Sequence, residues 1–369
     1  MVETLFWFAM TLIAGFIPGM LLMRTKIPMG GTIGAMIGST ALNLLTEKAV
    51  FLPPVKVLIM ILAGAMIGSK IGRQELRAAR RLLPACVMVI VVMIAFNLGL
   101  GSLIFAFSNL DVATSLFAVM PGGGTEMAIV SEEMGANPAY VGILQIVRGI
   151  LFLLIVPSVF SAIITRLEKR GTVKYKTRAR TVGQVGQQAA PCGVDQTAAG
   201  YTGREKLLLA GLFVSAGAGG MLFDYLHISA GTLIGGVLFG VIYSVLLGKA
   251  RYPVKLLPLQ QVLAGAYLGL SVTRQTIASI QDLLVPIGIM LVGIVLFSLL
   301  SGYIMCRITH MDLVTSFLAA SPCGVAELAL VSEELGADTS IVAIVQTIRF
   351  VAVVSTFPVM LSAVIRLFG

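Results

Sequence analysis

Residues Asp111–Gly135 read DVATSLFAVMPGGGTEMAIVSEEMG, and residues Asp312–Gly336 read DLVTSFLAASPCGVAELALVSEELG. Residues recur at an offset of 201: Asp111, Thr114, Ser115, Pro121, Gly123, Glu126, Ser131, Glu132, Glu133 and Gly135 match Asp312, Thr315, Ser316, Pro322, Gly324, Glu327, Ser332, Glu333, Glu334 and Gly336. The register continues outward without a gap. Downstream, Gln145, Arg148 and Pro157 match Gln346, Arg349 and Pro358. Upstream, Leu62-Ala63-Gly64-Ala65 and Gly68 match Leu263-Ala264-Gly265-Ala266 and Gly269, and Gly19 and Gly34 match Gly220 and Gly235. The chain is one unit written twice.

The chain is 57% hydrophobic and 12% charged, against about 25% charged in soluble domains. This composition predicts an all-α integral membrane protein, because helices satisfy their own backbone groups in lipid. The start, Met1-Val2-Glu3-Thr4, has no basic n-region, so Leu5–Met23 is expected as a retained first helix. The net charge of +9 sits in short loops, a topology signal rather than a nucleic-acid footprint. Cys86, Cys192, Cys306 and Cys323 form no CxxC pair, so neither a disulfide framework nor a zinc site is expected. No cofactor is expected.

The apolar segments of the first half are Leu5–Met23, Met29–Leu45, Val55–Ile71, Leu82–Phe107 and Tyr140–Ile164. Between the last two, Asp111–Gly135 reads as two half-helices of about 15 Å each, joined by Pro121–Gly124. It either crosses as a broken helix or re-enters as a hairpin. Basic clusters follow the first, third and last segments: Arg24 and Lys26; Lys70, Arg73, Arg77, Arg80 and Arg81; Arg166 through Arg180. All three share the cytoplasm only if the N-terminus is outside and the broken segment does not cross. Each half then has about five transmembrane helices, and the odd number inverts one repeat against the other. Arg274 and Arg366 are the exceptions, left outside. The expected organisation is repeat 1 over 1–165, a basic cytoplasmic linker over 166–206, and repeat 2 over 207–369.

Arg148 and Arg349 lie near the middle of their helices, where an uncompensated arginine costs at least about 2.5–3.5 kcal/mol. Gln145 and Gln346 precede them by one turn on the same face. Each Gln/Arg pair can aim amide and guanidinium donors at one acceptor. Glu126 and Glu327 open the second half-helices, where free N–H groups favour negative charge or hold an anionic ligand. Gly122, Gly123, Gly124 and Thr125 let backbone approach a ligand in the first loop, with Gly324 in the second. A Glu126–Arg148 salt bridge clamping the hairpin is the alternative reading. Asp111 and Asp312 are expected as helix caps, Glu132/Glu133 and Glu333/Glu334 as solvated ends, and His227 and His310 as no metal ligands.

The stretches PGGGTEMA from Pro121, SEEMGAN from Ser131 and Gln145-Ile-Val-Arg148 resemble the AbrB-type membrane protein family, tandem-duplicated bacterial proteins. The resemblance covers both halves. It implies a multi-pass protein of the bacterial inner (plasma) membrane; some members are labelled as an ammonia monooxygenase, and one is named for a role in regulating another gene. The second loop departs from the glycine-rich pattern at Cys323, Val325 and Ala326, which favours the first loop as the binding one.

Three functions follow as expectations. The first is a secondary transporter of a small anionic solute by alternating access, with ion coupling through Glu126 or Glu327. The second is a membrane-embedded regulator or sensor without transport. The third, a membrane oxidoreductase, lacks the clustered histidines its metal needs, so an enzyme is not expected. Expected partners are the bilayer and a small-molecule or ion substrate, not nucleic acid; a homo-oligomer stays open.

Overall fold

The computed structural model describes residues 2–25, 29–169, 202–228, 230–253, 256–309, 311–322, 332 and 337–368. The described residues are helical, without a strand. The first half comprises α1 (Val2–Met23), α2 (Gly30–Thr46), α3 (Pro53–Ser69), α4 (Arg73–Arg81), α5 (Leu83–Phe107), α6 (Val112–Val119), α7 (Gly124–Glu133) and α8 (Pro138–Lys169). The second comprises α9 (Gly203–Tyr225), α10 (Gly231–Leu246), α11 (Leu256–Leu270), α12 (Arg274–Ala278), α13 (Leu284–Thr309), α14 (Leu313–Ala320) and α15 (Thr339–Phe368). Five described segments are long and apolar enough to cross a membrane: Glu3–Met23, Pro84–Phe107, Gly203–Tyr225, Ile280–Thr309 and Thr339–Ser362. Four more apolar helices are shorter: Pro53–Ser69, Pro138–Phe152, Gly231–Leu246 and Leu256–Leu270. The expected linker lies largely outside the described residues. Helix α9 is capped at its start by Thr202, whose hydroxyl and Glu205 form a capping box, a Thr-x-x-Glu signal inside the expected linker.

The repeat is written into the backbone as well as the sequence. The residue before α2, Met29, has φ 58°, and so does its mate Ala230 before α10. Arg73 donates from Nε to the carbonyl of Val245 and from Nη2 to that of Leu246, at 2.6 Å each. Its mate Arg274 donates to the carbonyl of Leu44 at 3.2 Å. Both therefore satisfy orphan carbonyls at the end of a helix in the other half. That gives Arg274, an exception to the charge-bias reading, a local physical reason.

The two halves interlock. Helix α2 packs on α11, and α3 packs on α10. At the second seam a Cβ on Gly64 would lie 2.8 Å from the Gly236 carbonyl carbon, and one on Gly68 2.7 Å from that of Gly240. Only glycine lets these backbones approach so closely.

The broken segment is a hairpin. Pro121 cannot continue α6, and Gly123 turns the chain at φ +86°, a conformation costly for other residues. The chain then returns to its start: Asn137 N–H donates to Thr114 Oγ1 at 2.9 Å. In the second half Asp338 N–H donates to Thr315 Oγ1, also at 2.9 Å. Asn137 and Asp338 in turn accept from the first N–H groups of the following helix. Two half-helices laid end to end would hold Thr114 and Asn137 more than about 25 Å apart. The sequence left crossing and re-entry open; the hydrogen bonds bring both ends of each segment together.

Candidate functional site

Both Gln/Arg pairs converge on one acceptor, and that acceptor belongs to the chain itself. Gln145 Nε2 donates to the carbonyls of Phe117 and Met120 at 2.8 Å, and Arg148 Nη1 reaches Met120 O at 2.6 Å and Val119 O at 3.3 Å. Gln346 Nε2 donates to Leu318 O at 2.8 Å, Ala319 O at 3.1 Å and Ser321 O at 2.9 Å, and Arg349 Nη1 also donates to Ser321 O. These carbonyls end α6 and α14. A short helix ending inside an apolar body exposes carbonyls with no intrahelical donor and the negative end of a dipole. An amide and a guanidinium supply both the donors and the charge. The surroundings differ: Arg349 is 2% exposed, whereas Arg148 is partly exposed.

Glu126 sits in the first turn of α7, 8% exposed. Its Oε2 accepts from Thr125 Oγ1 at 2.8 Å, and its Oε1 accepts from Gln260 Nε2 on α11 at 3.2 Å. A salt bridge to Arg148, the clamp expected as an alternative, is not what holds it: the guanidinium is turned toward the end of α6 instead. Gln260 is itself 4% exposed, and its Oε1 is buried without a donor. Lys70, at the end of α3, lies within electrostatic reach of Glu126. The Lys70 Nζ stands 5.8 Å from the centre of the Phe350 ring. A Cβ on Gly123 would lie 3.3 Å from that ring's Cζ. Gly124 faces Met29, and Gln145 lies behind it. Gly122 is buried beside the Met127 side chain.

Helix α15 joins the two hairpins. It packs on both α14 and α6. It carries Arg349 to the end of α14, and the adjacent Phe350 to the loop of the first hairpin. The structure thus gathers Gly123, Gly124, Thr125, Glu126, Gln145 and Arg148 around one loop, with Gln346 and Arg349 on the neighbouring one. Gly324 and Glu327 lie outside the described residues, as do Glu333, Glu334, His310, Cys192 and Cys323. Lys70, Gln260 and Phe350 are additions that sequence spacing does not supply.

Asp111 and Asp312 cap their helices as expected, each accepting at 2.9 Å from the N–H three residues on. Glu132 and Glu133 are more than solvated ends. Lys56 Nζ lies 2.8 Å from Glu132 and 3.6 Å from Glu133. Tyr267 donates its hydroxyl to Glu132, and Glu133 accepts from Ala230 N–H at 3.1 Å. The far end of α7 is therefore tied to α3, α10 and α11. Among the described residues, no three His, Cys, Asp or Glu side chains gather as a metal site.

The family described as "Transition state regulatory protein AbrB" matches residues 1–164 and 177–365. The chain is 25% identical over 373 residues to "Uncharacterized protein YhjN" of Bacillus subtilis (strain 168), covering 95% of this chain and 91% of the relative. It is 24% identical over 347 residues to "Putative regulator AbrB" of Escherichia coli (strain K12), covering 94% and 90%.

Proposed function

This chain belongs to the AbrB family, and we propose that it is a secondary transporter moving a small anionic solute by alternating access. The observation that carries the proposal is the pair of hairpins, each tied to its own first turn and meeting along α15. A hairpin that returns adds no crossing. Each half then makes an odd number of passes, and its mate is inverted. Inverted halves with interrupted helices near their interface are an architecture that alternating access uses. The anionic solute is supported by Lys70 and by the N–H groups that open α7. Ion coupling is assigned to Glu126, with Glu327 as its mate. The proposed location is the bacterial inner membrane, N-terminus outside and linker cytoplasmic.

The test begins with a thermal-shift panel of small anions on detergent-purified protein, followed by uptake of each stabilising anion into proteoliposomes. Uptake that requires the protein and is lost in Arg148→Ala supports the reading. Stabilisation without any uptake sinks it.

The family description and the name of the Escherichia coli relative favour a second reading, a membrane-embedded regulator. Deleting residues 181–197 of the linker separates the two. A transporter keeps its flux, and a regulator loses its signal.

A further inference from the structure

A duplicated chain offers an internal control. Whatever both halves need to fold is repeated, so departures from the repeat mark what one half does alone. Four such departures meet around the first hairpin loop. Lys70 stands where the second half has Ser271, Gln260 where the first half has Ile59, Phe350 where the first half has Gly149, and Thr125 where the second loop has Ala326. These four positions come from α3, α11, α15 and α7. They meet at Gly123–Glu126 through the Thr125 and Gln260 hydrogen bonds, the Lys70–Phe350 stacking and the Phe350–Gly123 approach.

Resting on the transport reading, we propose that this loop is the recognition site, and that it takes a small carboxylate which also carries a hydrogen-bond donor, an amino or hydroxyl group. A bare anion fits only half of the site. It would meet the Lys70 ammonium and the first N–H groups of α7, but it would face the Glu126 carboxylate and leave Gln260 Oε1 without a donor. A buried acceptor without a donor is costly. A ligand with a donor beside its carboxylate satisfies Gln260 Oε1 and Glu126 while its carboxylate meets Lys70. The Phe350 ring lies against the loop at Gly123.

The experiment measures unfolding midpoints of the full-length protein against sodium acetate, sodium glycolate and glycine at matched sodium. Ligand binding to the folded state raises the midpoint by mass action. Glycolate or glycine is expected to give the same shift as acetate at a concentration at least about tenfold lower. Gln260→Leu should abolish that preference, Lys70→Gln should weaken the response to all three, and Lys70→Arg should restore it. Gln260→Asn, which keeps an amide, stands in if the leucine variant does not fold. Equal responses to the three probes, or none up to about 0.1 M, overturn the proposal. So does an undiminished preference in the Gln260 variants. If another anion stabilises the protein and is taken up, with Lys70 and Gln260 variants unaffected, this site fails while the transporter reading stands.

Discussion

The first hairpin, α6–α7, and the second, led by α14, are closed by the same contacts at both ends. Asp111 and Asp312 cap them, Thr114 and Thr315 receive the returning chain, and a Gln/Arg pair holds the interior carbonyls. They differ in what surrounds them. Arg349 is sealed in, with Gln346 at 0% exposure beside it. Arg148 is partly open, and its hairpin has a buried carboxylate whose partner, Gln260, comes from the other half. The shared contacts close both hairpins, whereas Gln260 has no polar mate at the matching Ile59.

The sharpest way to break the comparison is to remove each arginine. Arg349→Ala removes the charged donor to Ser321 O, leaving it Gln346 alone, and opens a cavity at a side chain that is 2% exposed, so a loss of about 3–5 kcal/mol is expected. Arg148→Ala should cost roughly half of that, because its position is less buried. Thermal or denaturant unfolding of the two variants in one detergent checks this. Equal losses would mean that the difference in exposure has no energetic weight. Lysine at position 148 should rescue poorly, since a point charge cannot span the Val119 and Met120 carbonyls as a guanidinium does.

Making the first hairpin resemble the second should cost less. Gln260→Ile installs the residue found at the matching position, Ile59, but leaves Glu126 with one donor fewer. The expected loss is about 1–3 kcal/mol. If the variant is as stable as the wild type, Gln260 does not hold Glu126, and the unshared contact is incidental. Where the halves agree, effects should agree: Asp111→Ala and Asp312→Ala should each cost about 1 kcal/mol through the lost cap. A large gap between them would show that the second hairpin is closed by something other than its cap.

What could be read from the sequence divides along the same line. The break at Pro121 and Gly123, the caps and the aligned Gln/Arg pairs are local or repeated, so spacing reveals them. The acceptor of those pairs was legible in number but not in kind. A donor pair at membrane depth points as readily to a ligand as to carbonyls at a helix end, and only the fold decides. Gln260 was hidden because it is 134 positions from Glu126 and has no polar mate. Arg274 was hidden differently. Counted as a charge it is a topology exception, but set beside its mate Arg73 it is a helix cap, and the 201-residue register already contained that hint.

The smallest expected effect concerns the loops after α3 and α11, which again share a frame and differ in charge. Glu75 Oε2 accepts from Gly72 N–H at 2.9 Å, and at the matching place Thr276 Oγ1 accepts from Thr273 N–H at 3.3 Å. Only the first is ionic, with Lys249 Nζ 2.5 Å from Glu75 Oε1. Burial pushes the Glu75 carboxyl up, but the hydrogen bond and charge of Lys249 and the main-chain N–H groups outweigh it and hold the group below its ordinary value of 4.5. A carboxyl whose folded-state pKa is depressed contributes stability above its unfolded value, and loses it as pH falls through the folded one. Wild-type protein should therefore lose more stability than Glu75→Gln between about pH 5 and about pH 3. The two should run parallel above about pH 6, offset in favour of the wild type, and the offset should shrink in high salt because Lys249 is partly exposed. Parallel curves through the acid range would mean that Glu75 is not held by Lys249 in solution. The contrast with the neutral Thr276 loop would then be one of composition alone.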